Sequence, residues 1–369
     1  MNKYDVCIIS KGAGDILLNT KSSYYLGPDI KSATVALEIA KNGFNVLLLT
    51  KTSHNNQIEF SEKLKIINVD FWDNSNTINF KRFFQFIVFW KRLSRLNVRV
   101  FFQHGSLPGI IGLYCKLNNK KFILDIASDS QMFLTPHKKN FNMDFFSGII
   151  FYVGNLLDLL SASHIITQHE DQFTKMNTID KKITIIKPVL ASINKIDSTN
   201  KKGDLIAWIG SIAKVKRPEF FLDIAEAIPN EKFILIGGHH GDIQLYEKIK
   251  ERAQHIPNVT LTGPLSHDLV LKYFNNIKLL VNTSSYEGFP NTFIEAWAHS
   301  IPVLTLGVDP ASTIVKNKLG NVFSNVADLI EFVNGLDDIE YQKMSFNIEI
   351  YYNKYHNYKN YDKYADILK

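Results

Sequence analysis

Short apolar runs alternate with amphipathic stretches along the first half of the chain. Apolar runs bounded by glycine or polar residues are typical of strands that are buried on both faces of a parallel sheet. Such runs predict strands at residues 4–10, 45–50, 64–69, 98–102 and 121–126. Segment 29–41 has alanines at helical spacing and predicts a helix that ends at Gly43. The chain therefore begins with a predicted right-handed βαβ unit.

A polar stretch separates this half from a second α/β pattern. Residues 193–203 are mostly Asn, Asp, Ser, Thr and Lys, the composition of an interdomain linker. Further strands are predicted at 205–209, 233–236, 259–261, 278–281 and 301–304. Segment 347–368, rich in Tyr and Lys, predicts a C-terminal helix. The sequence thus predicts an α/β protein with two Rossmann-like domains, at residues 1–195 and 204–349.

The composition fits this organisation and limits the possible partners. A chain of 369 residues can form two domains, and 45% hydrophobic with 21% charged residues is normal for a soluble protein. The net charge of +6 favours phosphates or an anionic membrane surface as partners. The basic residues are dispersed and match no nucleic-acid motif, so we do not expect nucleic-acid binding. Cys7 and Cys115 suggest buried thiols and, with no signal-peptide pattern, a cytoplasmic protein.

Segment 80–96 combines aromatic and cationic side chains and has two interpretations. The favoured one is an amphipathic helix that covers the sheet and keeps its basic side chains in water. The alternative is a peripheral contact with an anionic membrane, on the inner face of the plasma membrane.

The stretch that follows the predicted strand 278–281 carries candidate ligand groups. Glu287 lies in a polar loop and Glu295 in the first turn of a short predicted helix, so both can face the crevice beyond the strand ends. The helix start near Asn291 and Thr292 offers backbone N–H groups and a positive dipole end to a phosphate. Two carboxylates beside a phosphate-binding helix start suit a nucleotide-sugar, because one can accept hydrogen bonds from ribose hydroxyls and the other from sugar hydroxyls. The alternative is a capping box formed by Thr292 and Glu295, which leaves Glu287 unexplained.

A second candidate element lies between the predicted strand 205–209 and a helix whose first residue is predicted to be Pro218. Lys214, Lys216 and Arg217 crowd the start of that helix, where the dipole disfavours each cation by about some tenths of a kcal/mol. These charges are either solvated at the surface or paired with a bound diphosphate.

The string from Glu287 to Glu295 resembles the Glu-x7-Glu signature of family-four (group 1) glycosyltransferases, and Gly210 with Lys216 resembles their Gly-Arg…Lys element. The resemblance implies the GT-B fold, with two Rossmann-like domains facing across a cleft and a C-terminal helix, at about 350–369, packing back on the first domain. It also implies a retaining transfer from a nucleotide-sugar. Glu287 would contact the donor sugar, Glu295 the ribose hydroxyls and Lys216 the β-phosphate. The remaining donor-side positions are Gly210, Ser211, Arg217, Gly288, Phe289, Pro290, Asn291 and Thr292.

The chain departs from this family pattern at several positions. Ser211 stands where the family usually has Arg, so we hypothesise that Arg217 or Lys214 supplies the missing cation. The family commonly has a His after the strand matched by 121–126, where this chain has Ala127 or Ser128. The candidate acceptor-side residues are Gly27, which resembles part of the family's double-glycine loop, His104 in a strand-end loop, and Asp129.

The leading hypothesis is a metal-independent, hexosyl-type glycosyltransferase without a cofactor. No two aspartates are two residues apart, so the Asp-x-Asp metal motif is absent from the sequence. Lys216 and the N–H groups of residues 291–293 would then stabilise the leaving diphosphate. We expect a glycan or lipid-linked acceptor in cell-surface polysaccharide or lipopolysaccharide biosynthesis. One alternative is a catalytically degenerate partner subunit that binds a nucleotide-sugar or glycan. Another is a sugar-nucleotide epimerase, for which we would expect more acid/base groups.

Overall fold

The chain divides into two compact units. The computed structural model describes residues 4–18, 27–52, 57–69, 80–105, 109–127, 129–132, 145–189, 203–239 and 241–369. Unit 1 comprises Met1–Val189 and Tyr358–Lys369, and unit 2 comprises Leu190–Asn357. The sequence places the corresponding domains at 1–195, with a returning segment at about 350–369, and at 204–349. Each unit contains its own sheet, and we describe the two units separately.

Unit 1 contains an eight-stranded sheet in the order β3-β4-β2-β1-β5-β6-β7-β8. Its strands are β1 (Tyr4–Ile9), β2 (Val46–Thr50), β3 (Ile58–Glu59), β4 (Leu64–Asn68), β5 (Val98–His104), β6 (Lys121–Asp125), β7 (His164–Thr167) and β8 (Lys182–Ile185). All neighbours pair in parallel except β3, which is antiparallel to β4 at the sheet edge. The strand order reverses direction between β1 and β5, so this pair marks the topological switch point of unit 1.

In the described part of unit 1, six α-helices lie between these strands along the chain, and their apolar faces cover the sheet. They are α1 (Ala13–Leu17), α2 (Gly27–Lys41), α3 (Phe80–Ser94), α4 (Ile110–Leu117), α5 (Phe145–Ser161) and α6 (Glu170–Met176). On α3, Phe89 and Leu93 are buried in the core while Lys91 and Arg92 are exposed. This supports the favoured amphipathic interpretation for the part of α3 whose side chains are described. Cys7 and Cys115 are buried free thiols, which confirms that prediction.

Helices α4 and α5 approach each other closely around a buried carboxyl group. A side chain at Gly109 would lie 2.9 Å from the backbone of Gly154, so only glycine fits this contact. Asp158 on α5 accepts hydrogen bonds from the N–H of Gly112 and from Nε2 of Gln103, both at 3.1 Å. Burial outweighs these hydrogen bonds and raises the pKa of Asp158 to about 7. This carboxyl therefore stays protonated in the fold over a pH range in which it ionises in the unfolded chain.

The raised pKa of Asp158 predicts a pH-dependent stability. Between about pH 4 and about pH 7 the unfolded chain loses a proton that the folded chain keeps, so this group lowers stability by up to roughly 1.4 kcal/mol per pH unit as pH rises. Asp158→Asn removes the titration and keeps an oxygen for the N–H of Gly112. In urea unfolding, the free energy of unfolding of Asp158→Asn should rise relative to that of the native chain between pH 5 and pH 8. A difference in stability that stays constant over this range would contradict the prediction.

Unit 2 contains a six-stranded, fully parallel sheet in the order β11-β10-β9-β12-β13-β14. Its strands are β9 (Leu205–Ile209), β10 (Lys232–Ile236), β11 (Val259–Gly263), β12 (Ile277–Asn282), β13 (Val303–Thr305) and β14 (Gly320–Val322). Its helices are α7 (Pro218–Ala227), α8 (Ile243–Gln254), α9 (His267–Phe274), α10 (Asn291–Ala298), α11 (Thr313–Asn317), α12 (Val326–Gly335) and α13 (Asp338–Tyr355). The strand order reverses between β9 and β12, which makes their carboxyl ends the expected ligand position.

The C-terminal segment differs from the single helix predicted at 347–368. Helix α13 ends at Tyr355, the buried His356 follows it, and a last helix, α14, spans Asp362–Leu368 within unit 1. Tyr361 donates a 2.5 Å hydrogen bond to the carbonyl of Val189, and Arg99 donates to the carbonyl of Leu368. The break between the helices lies where the chain passes from unit 2 to unit 1.

In the described parts of the chain, no helix combines the length and apolar composition needed to cross a membrane.

The prediction of an α/β protein with two parallel-sheet units is confirmed. The predicted strands are present with ends shifted by one or two residues, and Pro218 is the first residue of α7. Four strands were not predicted from the sequence, β3, β7, β8 and β14, because each is short or only partly apolar.

Candidate functional site

A pocket opens at the switch point of unit 2. It contains about 230 Å³ of empty space, part of it open to solvent. Its lining residues come from β9, β12 and the segments that follow them: Trp208, Ile209, Lys216, Leu280, Val281, Asn282, Ser284, Glu287 and Thr292. The two elements singled out in the sequence therefore meet in one pocket, because β9 and β12 are neighbours in the sheet.

Lys216 and Glu287 form an ion pair in this pocket. Nζ of Lys216 lies 2.5 Å from Oε1 of Glu287, and the two side chains are 25% and 13% exposed. The same Oε1 accepts hydrogen bonds from Oγ of Ser284 at 2.7 Å and from Nδ2 of Asn282 at 3.3 Å. The carboxylate is thus held by three donors, while the ammonium group stays partly accessible to a ligand that can compete for it.

Arg217 was one of two residues hypothesised to supply the missing cation, but its guanidinium contacts backbone carbonyls. Its backbone has a left-handed conformation, with φ 47°, and it caps α7. Its guanidinium donates to the carbonyls of Thr283 at 2.6 Å, Ser284 at 3.0 Å and Leu306 at 2.9 Å. Three backbone contacts fix the loops after β12 and β13 to the start of α7. The geometry therefore makes Arg217 a support for the pocket, and Lys216 is the cation that lines it.

The turn that carries Lys216 is tied to the loop that carries Glu287. Oγ1 of Thr283 donates to the carbonyl of Lys216 at 2.7 Å and accepts from Nε1 of Trp208 at 3.0 Å. The N–H of Ser285 donates to the carbonyl of Val215 at 2.8 Å. These bonds set the spacing between the lysine and the glutamate.

The other donor-side positions have separate roles at this end of the sheet. Thr292 lines the pocket, and Gly288 is half-buried in the loop before it. Phe289 and Pro290 are buried, and the Phe289 ring contacts Trp297 and His356, which makes it a core side chain. Gly210 and Ser211 follow β9, and the backbone of Gly210 lies so close to Gly237 that a side chain at Gly237 would collide with it.

The capping box formed by Thr292 and Glu295 is not observed. Pro290 is the N-cap residue and α10 starts at Asn291, which places Thr292 and Glu295 inside the helix. The N–H of Phe293 donates to the carbonyl of Pro290 at 3.1 Å, so this N–H, one of the three predicted to face a diphosphate, is used within the turn. The proline fixes the start of the helix two residues before the position that a Thr cap requires.

Glu295 is buried one turn along α10 and does not line the pocket with Glu287. Its Oε1 lies 2.9 Å from Nε2 of His267, the first residue of α9. Burial lowers the pKa of His267, but the hydrogen bond and charge of Glu295 outweigh it, so the net shift is upward. His267 is a site residue that sequence reasoning missed, because a lone His at a helix start carries no signal of its partner.

In unit 1, a buried polar cluster lies at the carboxyl ends of β5 and β6. Asp125, the last residue of β6, is fully buried, and its Oδ2 lies 2.9 Å from Nζ of Lys31 and 3.1 Å from Nδ1 of His104. The hydroxyl of Tyr364 on α14 donates to the same oxygen at 3.2 Å. Nearby, Asp29 accepts from Oγ of Ser10 and from the N–H of Gly12, both at 2.7 Å. We call Lys31, His104, Asp125 and Tyr364 the Asp125 cluster.

Burial and the neighbouring charges both shift the pKa values of the Asp125 cluster. Burial alone would raise the pKa of Asp125, but Lys31 and His104 overcome it, and the net pKa is lowered. Burial lowers the pKa of Lys31 in spite of its carboxylate partner. Burial and the neighbouring Lys31 lower the pKa of His104, so its imidazole is neutral near pH 7.

The predicted acceptor-side residues are only partly described. His104 was predicted in a strand-end loop, but it is the buried last residue of β5. Gly27 begins α2, and the next residue, Pro28, lies beside Gly105, so the start of α2 adjoins the end of β5. Asp129 begins a short 3-10 turn, and its side chain lies outside the described residues, as does Ser128. Asp125 and Lys31 were missed, although Asp125 lies within a predicted strand.

The unit that contains the pocket matches a known protein family. Residues 203–339 match the family model described as glycosyl transferases group 1. Most of unit 2 is therefore similar to the group 1 glycosyltransferases. The matched range contains both elements of the pocket and all of the donor-side positions. No curated protein matches the chain by sequence comparison.

Solved glycosyltransferase structures share the fold of the whole chain. Sucrose-phosphate synthase from Thermosynechococcus elongatus superposes with a TM-score of 0.73 at 14% identity, over 98% of this chain and 97% of its own. WaaG, a glycosyltransferase involved in lipopolysaccharide biosynthesis, has a TM-score of 0.68 at 14% identity and 99% coverage of both chains. HepE from Anabaena, in complex with UDP, has a TM-score of 0.68 at 12% identity, over 98% and 99%. These likenesses establish the GT-B fold with two Rossmann-like domains.

Within the described ranges, no three His, Cys, Asp or Glu side chains lie close enough to hold a metal ion.

Proposed function

We propose that this group 1 glycosyltransferase transfers a hexosyl-type sugar from a nucleoside diphosphate donor to a glycan or lipid-linked acceptor, with retention of configuration. The observation that carries the proposal is the Lys216–Glu287 pair in the pocket at the switch point of unit 2. A lysine beside a carboxylate provides one group for a diphosphate and one for sugar hydroxyls. Two proteins of the same fold support this chemistry: HepE forms a complex with UDP, and a trehalose-6-phosphate synthase carries out glycosyl transfer with retention.

The pocket would hold only part of the donor. Its lining residues all come from unit 2 and do not include Glu295, the residue assigned to the ribose. The diphosphate would lie between Lys216 and the first residues of α10, with the sugar toward Glu287. Glu295, three residues beyond Thr292, would accept from the ribose, since three residues advance a helix by about 4.5 Å.

The reaction needs a positive group for the leaving diphosphate, and Lys216 supplies it in this proposal. The N-terminal end of α10 adds its dipole through Asn291 and Thr292. We propose that no metal or cofactor is required. In this proposal His104 and Gly27 of unit 1 are the acceptor-side residues. The lipopolysaccharide role of WaaG motivates a place in cell-surface polysaccharide biosynthesis, with a peripheral membrane contact through α3.

The proposal is tested by screening nucleotide-sugars and then measuring turnover. A donor at about 100 times its dissociation constant should stabilise the protein by about 2.7 kcal/mol, which a thermal shift detects. The stabilising nucleotide-sugar is then incubated with the native chain and with Glu287→Gln, and donor hydrolysis and sugar transfer are measured. Turnover that depends on Glu287 supports a transferase.

A second candidate function is a nucleotide-sugar-binding partner subunit without catalysis. It is favoured by Ser211 in place of the family's arginine and by Arg217, whose guanidinium contacts three backbone carbonyls. Stabilisation by a nucleotide-sugar without any hydrolysis or transfer would support this function and reject the transferase.

A further inference from the structure

The carboxylate of Glu295 is held in one orientation by a side chain from another helix. Oε1 of Glu295 lies 2.9 Å from Nε2 of His267, and the two side chains are 5% and 20% exposed. A carboxylate this buried requires a partner, because burial of an unpaired charge is costly. His267 contacts one of the two carboxylate oxygens, and this contact also fixes the position of the other oxygen.

The position of His267 is itself well determined. It is the first residue of α9, which follows Ser266, and Val270 and Phe274 bury this helix against unit 2. The ring of His299, which follows α10, stacks on Phe274 at 5.0 Å, and its Nδ1 lies 2.8 Å from the carbonyl of Glu295. Helix α9 is therefore held near α10 at two points, by His267 with Glu295 at its start and by Phe274 with His299 at its end.

We propose that His267 is a positioning residue for nucleotide recognition, which orients Glu295 so that its second oxygen accepts a hydrogen bond from a ribose hydroxyl. This inference rests on the proposed function, in which Glu295 faces the ribose of the donor. Thr292 lines the pocket and is three residues before Glu295, so the two side chains lie on the same face of α10. A ligand with its diphosphate at Thr292 would bring its ribose toward the Glu295–His267 pair.

The predicted consequence is a preference for ribose over dideoxyribose that depends on His267. A hydrogen bond to a charged group contributes enough to make the ribonucleotide bind about 10- to 100-fold more tightly. Without His267 the buried carboxylate loses its fixed partner and can turn away from the ribose. The hydrogen bond that it accepts from the ribose hydroxyl then weakens, and the preference for the ribonucleotide over the dideoxynucleotide should fall by about tenfold.

The experiment uses the full chain and isothermal titration calorimetry. UDP, ADP and GDP are first titrated into the native protein, and the tightest binder is then compared with its 2′,3′-dideoxy counterpart. The same two nucleotides are titrated into His267→Ala and His267→Gln. The glutamine keeps an N–H donor and should retain most of the preference, whereas His267→Ala should lose it. The dideoxynucleotide should bind all three proteins with equal affinity.

Each outcome decides a separate question. If His267→Ala keeps the full ribose preference, or weakens both nucleotides equally, His267 only supports the fold and the inference is wrong. If the native protein binds a nucleoside diphosphate but shows no ribose preference, the role of Glu295 is wrong while nucleotide binding stands. If the native protein binds none of the three diphosphates and none of the screened nucleotide-sugars stabilises it, the proposed function itself fails.

Discussion

Replacing Lys216 with alanine is expected to lower the turnover of sugar transfer by about 10²- to 10³-fold, the usual effect of removing one preorganised group that stabilises a developing negative charge. Lys216 is the only cationic side chain that lines the described pocket of unit 2. Its partner Glu287 would keep its hydrogen bonds from Ser284 and Asn282. The fold of the pocket should therefore survive the substitution, and the loss should appear in chemistry.

The measurement is steady-state kinetics with the donor found by thermal shift, for the native chain and Lys216→Ala. Lys250→Ala is a matched control, because it also removes one lysine charge from unit 2 but lies on the exposed side of α8. This control should leave both kcat and KM unchanged. Unchanged turnover and donor affinity in Lys216→Ala would exclude this lysine from the diphosphate site.

Arg217→Ala would not be a useful substitute for this test. Its guanidinium joins α7 to the loops after β12 and β13 through three carbonyl contacts. Loss of these contacts would disturb the positions of Lys216 and Glu287 together. A fall in activity would then report on the loops and not on the charge at the diphosphate.

The site in unit 2 was predictable because its signals are local. Glu287 and Lys216 each follow an apolar strand, and the carboxyl ends of parallel strands lie at one edge of a sheet. What the sequence could not provide was the strand order, which makes β9 and β12 neighbours. It also could not show that Pro290 is the N-cap residue of α10, which excludes the capping box, or that Glu295 is paired with a residue 28 positions earlier.

The polar cluster of unit 1 shows the opposite case. Lys31 lies on a helix, where a lysine normally predicts a solvated surface, and its partner Asp125 is 94 residues away. Tyr364 comes from the C-terminal helix, 239 residues beyond Asp125. No periodicity or motif connects such positions, since the contacts arise only when the sheet order and the returning segment are formed. The sequence therefore indicated His104 as a candidate but placed it in the loop after β5 and not at the end of the strand.

Asp125→Ala is expected to destabilise unit 1 by about 3–5 kcal/mol, the usual cost of removing one partner of a buried ion pair. Lys31 is 3% exposed and would be left with a buried charge, and the hydroxyl of Tyr364 would lose its acceptor. Hydrogen exchange of the full chain in low urea, read by mass spectrometry, measures this effect for each unit. Protection in β5 and β6 should fall by about 10²- to 10⁴-fold, since each 1.4 kcal/mol is roughly a factor of ten, while β9 and β12 should keep theirs.

The control separates a buried charge from a simple loss of packing. In the triple variant Lys31→Met, Asp125→Leu, Tyr364→Phe, all three polar partners are replaced by apolar groups, which is often neutral or stabilising for a buried pair. His104 tolerates this change because its lowered pKa keeps it neutral near pH 7. The triple variant should therefore be more stable than Asp125→Ala, although it carries more substitutions. If it is less stable, the packing of these side chains outweighs their charges, and the unpaired lysine is not the cause of the predicted loss.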